Sequence, residues 1–282
     1  MRNLKSSGRL VLVAGCLAIT LAVQAPAHEG LHEQIADVTA QIKREPKNAS
    51  LYLKRGELYR LHRDWGSAFA DYNRAERLNP RLDEVNFGRG RTYFEADKPQ
   101  QARIWLDRFL VAKPNHVDAL VTRARVLVKL NLPIPAATDY SGAIAQLAMP
   151  KPEYYIERAQ ALVAAGRNDE ALGGIDEGVK KLGPIVTLQL FAIDLELSRK
   201  SYDAALSRLE QISAQSPRKE TWLARRGDIL LLADKKDEAR QAFKAALAAI
   251  EALPTYQRAK KATVELERRV RAALGSNRAG AS

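Results

Sequence analysis

LYLKRGELYRLHRDWGSAFADYNRAERLNP, residues Leu51 to Pro80, decides the fold. Gly56 stands twelve residues before Ala68; Tyr72 follows four after that, Ala75 seven after it, and Pro80 closes the stretch. Outward from here the same pair of small positions returns as Gly90/Ala102, Ala124/Ala136, Ala159/Ala171, Ile193/Ala205 and Gly227/Ala239. The second members advance by 34, 34, 35, 34 and 34 residues. A fixed period in this range marks a stacked repeat array.

Each period reads as two helices. Tyr52, Gly56 and Tyr59 recur at four and three residues and share one face. Arg63-Asp64 interrupts the pattern, and a second helix carries Ala68, Tyr72 and Ala75 inward before ending near Asn79-Pro80. Gly56 against Ala68 lets the two backbones approach, with Tyr59 and Tyr72 filling the flanks. A lone pair of such helices cannot bury both faces, so each unit needs a neighbour. The expected fold is all-α, an α-solenoid of about six helix pairs.

This pattern resembles the tetratricopeptide repeat: an aromatic or Leu, a Gly or Ala, a Tyr or Leu, an Ala, an aromatic, a second Ala and a Pro. Unit one matches throughout, with Tyr52, Gly56, Tyr59, Ala68, Tyr72, Ala75 and Pro80. Unit five departs furthest: Gln189, Ile193 and Glu196 replace the expected residues, while Ala205, Leu209, Ile212 and Pro217 keep the phase. The resemblance implies a right-handed superhelix with units at 49–82, 83–116, 117–151, 152–185, 186–219 and 220–253. It implies binding of protein or peptide partners and leaves the partner open.

Ahead of the repeats, Arg2, Lys5 and Arg9 precede an apolar run from Leu10 to Val23 and a small-residue Ala25-Pro26-Ala27 site. That is the outline of a signal peptide over 1–27, which implies a periplasmic or secreted chain after cleavage near Ala27. Val13-Ala14-Gly15-Cys16 resembles a lipobox, but only six apolar residues precede Cys16 and the run continues to Val23, so lipidation is the lesser expectation. Cys16 is the only cysteine, so the cleaved chain forms no disulfide and rests on its helical core.

The whole chain carries a formal charge of +12. Such a balance favours anionic partners. An exported chain has little access to nucleic acid, which leaves an acidic protein or an anionic envelope surface, beside the plainer reading of a solvated basic face. Arg55, Arg89, Arg123, Arg158 and Arg226 recur just before the small residue. Their fixed phase points to structural use, with Asp71, Asp139 and Glu170 as expected partners.

Residues 28–48 fill the phase of a second helix and read as an N-terminal cap. His28 and His32, four apart there, are the candidate metal ligands for copper or zinc, against the plainer reading of an exposed terminus. His62 and His116 read as surface residues.

By the resemblance, first helices line a concave groove, along which Lys54, Glu57, Arg91, Thr122, Arg125, Lys129, Glu157, Gln160, Asp194, Arg225 and Asp228 form an exposed row. In units two and three, Phe87, Arg91 and Phe94 share one face, as do Val121, Arg125 and Val128, with Lys129 beside them. An apolar floor with paired arginines suits an extended or helical segment bearing a carboxylate. The alternative is that the phenylalanines pack between units and the arginines are solvated.

The phase slips by one residue around Met149-Pro150-Lys151-Pro152, and residues 150–217 read as the least regular part. Residues 254–274 read as one capping helix with a stripe of Tyr256, Ala259, Thr263, Leu266, Val270 and Ala273, and 275–282 as a disordered tail. No glycine-rich phosphate loop, nucleophile elbow or metal cluster appears in the repeats. The expected function is therefore an exported scaffold without catalysis or cofactor, in a cell-envelope assembly. The alternative is a metal-handling accessory protein using the N-terminal histidines.

Overall fold

The computed structural model describes residues 27–279, with side chains described over 30–275. Residues 1–26 of the signal segment, Cys16 among them, lie outside the described residues, as does the side chain of His28. Among the described residues there are fifteen helices and no strand. After α1 (Ala27–Arg44) come six pairs: α2 (Ala49–Leu61) with α3 (Trp65–Leu78), α4 (Glu84–Glu95) with α5 (Pro99–Ala112), and α6 (Val117–Lys129) with α7 (Pro133–Ala145). The last three pairs are α8 (Pro152–Ala164) with α9 (Asn168–Leu182), α10 (Val186–Ser198) with α11 (Tyr202–Gln215), and α12 (Glu220–Leu232) with α13 (Lys236–Glu251). Then follow α14 (Thr255–Arg258) and α15 (Lys261–Ala279). Each pair packs on itself and on the next, the arrangement of a stacked solenoid.

Every pair turns the same corner. Arg63, Asp97, Asn131, Gly166, Lys200 and Asp234 all have φ between 56° and 74°, and each stands seven residues after its unit's small position. The next amide donates back to a carbonyl five residues earlier at 2.8–2.9 Å, as from Asp64 to Tyr59 and from Lys235 to Leu230. This is the Schellman closure of a first helix, which requires a left-handed residue at its centre. In unit one the second helix starts at once, with Asp64 Oδ1 accepting from the Ser67 amide at 3.1 Å.

The small positions explain the packing between the paired helices. A Cβ on Gly56 would stand 2.7 Å from the Tyr72 ring, one on Gly90 2.7 Å from Leu106, and one on Gly227 2.5 Å from Phe243. Each neighbour lies sixteen residues on and is fully buried. Ala68 stands behind, its carbonyl 3.3 Å from where that Gly56 Cβ would stand. The notch therefore makes room for a large side chain, and Ala68 and its equivalents, Ala102, Ala136, Ala171, Ala205 and Ala239, are buried to completion behind it.

Two expectations need correction. The C-terminal cap is not one helix: α14 is a single turn after Pro254, and α15 starts at Lys261. Tyr256 is 67% exposed, so the inward stripe begins only at Thr263 and Val270, and α15 runs to Ala279, into the stretch expected to be disordered. Residues 150–217 are also not irregular in backbone. Helices α8 to α11 span 13 to 15 residues each, like their counterparts, because the extra residue at 149–152 falls in the loop before α8. Pro152 sits in the first turn of α8, where its missing amide costs nothing.

Candidate partner-binding groove

In units one, three and four the arginine before the notch spans its helix pair. Arg55 makes two hydrogen bonds to Asp71, at 2.7 and 2.8 Å, and Arg123 makes two to Asp139, both at 2.7 Å. Arg123 also reaches Asp107 of the preceding unit at 2.9 Å. Arg89 lies over the Trp105 ring at 4.4 Å and donates to Asn73 and Glu76. Arg158 donates to the Gly174 carbonyl and to Glu177, not to Glu170, which instead binds Arg167. Paired forks of this kind, largely shielded from water, are worth more than surface pairs.

The first helices carry a second, exposed row that links unit to unit. Glu57 receives Arg91 from the next unit, together with Arg60 and the Tyr72 hydroxyl, the last at 2.8 Å. Arg125 makes two bonds to Glu157 of unit four, at 2.8 and 2.9 Å, and Tyr140 donates to the same carboxylate at 2.6 Å. Lys129 reaches back to Asp97, Arg225 to Asp194 and Arg269 to Asp228. Burial and the adjoining carboxylate push the hydroxyl pKa of both Tyr72 and Tyr140 up, so each stays a donor. Burial works to raise the Glu157 pKa, but hydrogen bonds from Arg125 and Tyr140, with the Arg125 charge, hold it below the usual glutamate value.

All seven residues proposed for the groove line two adjoining recesses that share Phe94 and Arg125. The first, about 400 Å³, is walled by Phe94, Val128, Pro133, Tyr140, Ala161 and Ala164, with Arg125, Lys129, Asn131, Glu157 and Gln160 around them. The second, about 580 Å³, holds Phe87, Arg91, Val121 and Arg125 with Tyr154, Lys151 and the acids Glu95, Asp118 and Glu153. Both volumes fall in the range of ligand clefts.

The reading of Arg91 and Arg125 as free carboxylate binders does not fit this geometry: both guanidinium groups are already held by Glu57 and Glu157. Phe87 is nearly buried and stacks on Phe109 at 5.1 Å, so it belongs mainly to the packing between units. Val128, 49% exposed, and the half-buried Phe94 are the apolar groups open to the groove. Sequence reasoning missed Tyr140, Pro133, Ala161 and Ala164, because it looked for groove walls on first helices of two units alone.

At the N-terminus, the His32 ring meets His62 edge-on with centroids 4.5 Å apart. Among the described residues no group of three or more His, Cys, Asp or Glu side chains is arranged to hold a metal ion. His116, in contrast, caps α6, its Nδ1 accepting from the Ala119 amide at 3.2 Å, and packs on Phe87 and Phe109.

Comparison with known proteins agrees with this architecture. Residues 53–117 match a family model described as tetratricopeptide repeat, and residues 175–265 one described as tetratricopeptide repeat-like domain. No curated protein matches the sequence. Among solved structures, a tetratricopeptide repeat protein from Parabacteroides merdae is 19% identical, covering 86% of this chain and 94% of its own at a TM-score of 0.51. PilW, described as a type IV pilus biogenesis factor, is 18% identical over 70% of this chain and 92% of its own, at a TM-score of 0.53. A structure of Naa15/Naa10 bound to HypK aligns at 14% identity and a TM-score of 0.56, over 89% of this chain and 37% of the other. At such identities these likenesses speak for the fold alone. The two family matches together span more than half of the sequence, and the chain belongs to the tetratricopeptide repeat proteins, a family of protein-binding scaffolds that are generally not enzymes.

Proposed function

We propose that the chain is an exported scaffold that grips a segment of a partner protein in the groove of units two to four, within a cell-envelope assembly. The observation that carries this reading is the 400 Å³ recess, whose walls are mostly apolar while the charges beside it are paired with one another. A charged group entering there would have to displace Glu157 from Arg125 or Asp97 from Lys129. An apolar or aromatic side chain would bury its surface without breaking either pair, and Gln160 and Asn131 remain to meet its backbone. The partner segment is therefore read as anchored by an apolar side chain, rather than by the carboxylate expected from sequence.

A photo-crosslinking residue at Val128 tests this in the native cell. A discrete polypeptide is expected to crosslink, and Ala164→Trp, which plugs the recess from an exposed position, is expected to abolish the adduct. An adduct that survives Ala164→Trp places the partner elsewhere. Export is tested separately by mass spectrometry of the mature N-terminus, expected at His28; a chain starting at Met1 or at an acylated Cys16 would refute cleavage near Ala27.

The contact between His32 and His62 favours one second reading, a metal-handling accessory role for His28 and His32. Calorimetric titration with copper(II) is then expected to show binding that weakens at least tenfold in His32→Ala, and equal affinity in both proteins would end it.

A further inference from the structure

Charge is unevenly spread along the solenoid. Residues 27–234 hold 31 Lys and Arg against 28 Asp and Glu, whereas residues 235–282 hold 11 against 5. In the first set the two signs nearly balance. At the far end cations outnumber acids, and among the described residues Arg258 and Arg268 make no ion pair, while Lys260 only overlies the Tyr256 ring at 6.0 Å. Lys261 stands 3.9 Å from Glu265, 91% exposed and barely engaged.

A terminal cap is expected to present a polar outer face. Here α14 and α15 mix those cations with two exposed apolar side chains, Tyr256 at 67% and Val264 at 51%. Lys261, Val264 and Arg268 recur at three and four residues, so they share the outward side of α15, opposite Thr263 and Val270, which are buried. Tyrosine and short aliphatic groups among lysines and arginines match the boundary of a bilayer, where the rings sit at headgroup level and the cations meet lipid phosphates.

We infer that the C-terminal cap docks the scaffold on a membrane surface rich in anionic lipid. Charge complementarity selects this occupant, and the exposed Tyr256 and Val264 favour a bilayer over a soluble acidic protein. No helix among the described residues is long and apolar enough to cross a membrane, so the attachment is peripheral and salt-sensitive. Each Lys or Arg close to an anionic leaflet strengthens binding about fivefold.

The test is co-sedimentation of the full chain with vesicles of phosphatidylcholine alone or with about 30% phosphatidylglycerol. Arg258→Gln/Lys260→Gln/Arg268→Gln is expected to weaken binding to the anionic vesicles about a hundredfold relative to wild type. Tyr256→Ser/Val264→Ser is expected to weaken it severalfold. Residues 10–23 contribute equally to every protein in the series, so the differences read the cap. All five substituted positions are exposed, and unchanged circular dichroism confirms that the fold stands. Equal binding by wild type and the charge variant overturns the inference, as does a wild type that binds neutral and anionic vesicles equally.

Discussion

Unit one and unit five solve the same packing problem with opposite residues. In unit one a glycine, Gly56, faces Tyr72, and the arginine before it, Arg55, crosses to Asp71 on the second helix. In unit five the small position is Ile193, fully buried, and its counterpart sixteen residues on is the smaller Leu209. The arginine has changed sides as well. Ala192 stands where Arg55 would be, and Arg208 occupies the place of Asp71, reaching Asp176 at 2.7 Å and Glu196 at 3.5 Å. Two features thus recur in both units on different residues: a trade of size across the crossing, smallest against large or two of middle size, and a guanidinium–carboxylate link anchored at it. The core also divides at α10, where Leu188, Ala192 and Leu195 join the cluster of the preceding units and Ile193 joins the following one.

The strongest way to break this comparison is at the crossing itself. Gly227→Ile places a branched side chain against the fully buried Phe243 ring, where even a Cβ stands at 2.5 Å. It is expected to cost ~3 kcal/mol or more in urea unfolding, the upper end for overpacking. The double variant Gly227→Ile/Phe243→Leu copies unit five and should regain most of that loss. If it regains nothing, the size of one position is not traded against the other.

Charge placement comes next. Arg208→Asp sets a third carboxylate beside Asp176 and the nearly buried Glu196, and is expected to destabilise by about 2–3 kcal/mol, less than a fully buried pair because Arg208 and Asp176 are partly wet. Adding Ala192→Arg restores the polarity of unit one and should recover at least half, as read by the same unfolding midpoints.

The corners sharpen the comparison at a smaller scale. Lys200 holds φ 59° in unit five, whereas unit four uses Gly166 at 74°. Lys200→Gly should raise stability by up to ~1 kcal/mol, and Gly166→Ala should lower it by a similar amount. Thermal melts that leave both unchanged would mean that the left-handed corner carries no strain.

The smallest effect concerns pH. The Glu157 pKa is depressed in the folded chain, so the stability it contributes is present above the ordinary glutamate value of 4.5 and disappears as pH falls through the lower folded value. Glu157→Gln should flatten that acid limb by less than about 1 kcal/mol, since the Arg125 side chain is 44% exposed and water screens the pair. An acid limb of equal slope in both proteins would assign the loss to other carboxylates.

Much of the architecture was legible because the period is carried by small residues, and a notch admits few substitutes. The residue sixteen positions on was equally legible, always large, yet the eye rests on Ala68 and its equivalents, which merely lie behind it. The corners were hidden. Arg63, Asp97, Asn131, Lys200 and Asp234 share a backbone conformation but no chemistry, and Gly166 alone announces it. In the groove, Phe94, Val128 and Lys129 were recognised from helical spacing. The occupancy of Arg91 and Arg125 was not, because the carboxylates that hold them sit one whole unit away in sequence. Single-helix periodicity carries no information at that range.

Six identical corners have an architectural consequence. Since the bend between paired helices comes from one backbone conformation and one hydrogen bond, it is indifferent to which side chain stands at the apex. A unit can then be inserted or removed as a whole module without re-aiming its neighbours, and the reach of the concave face would change in steps of one helical hairpin.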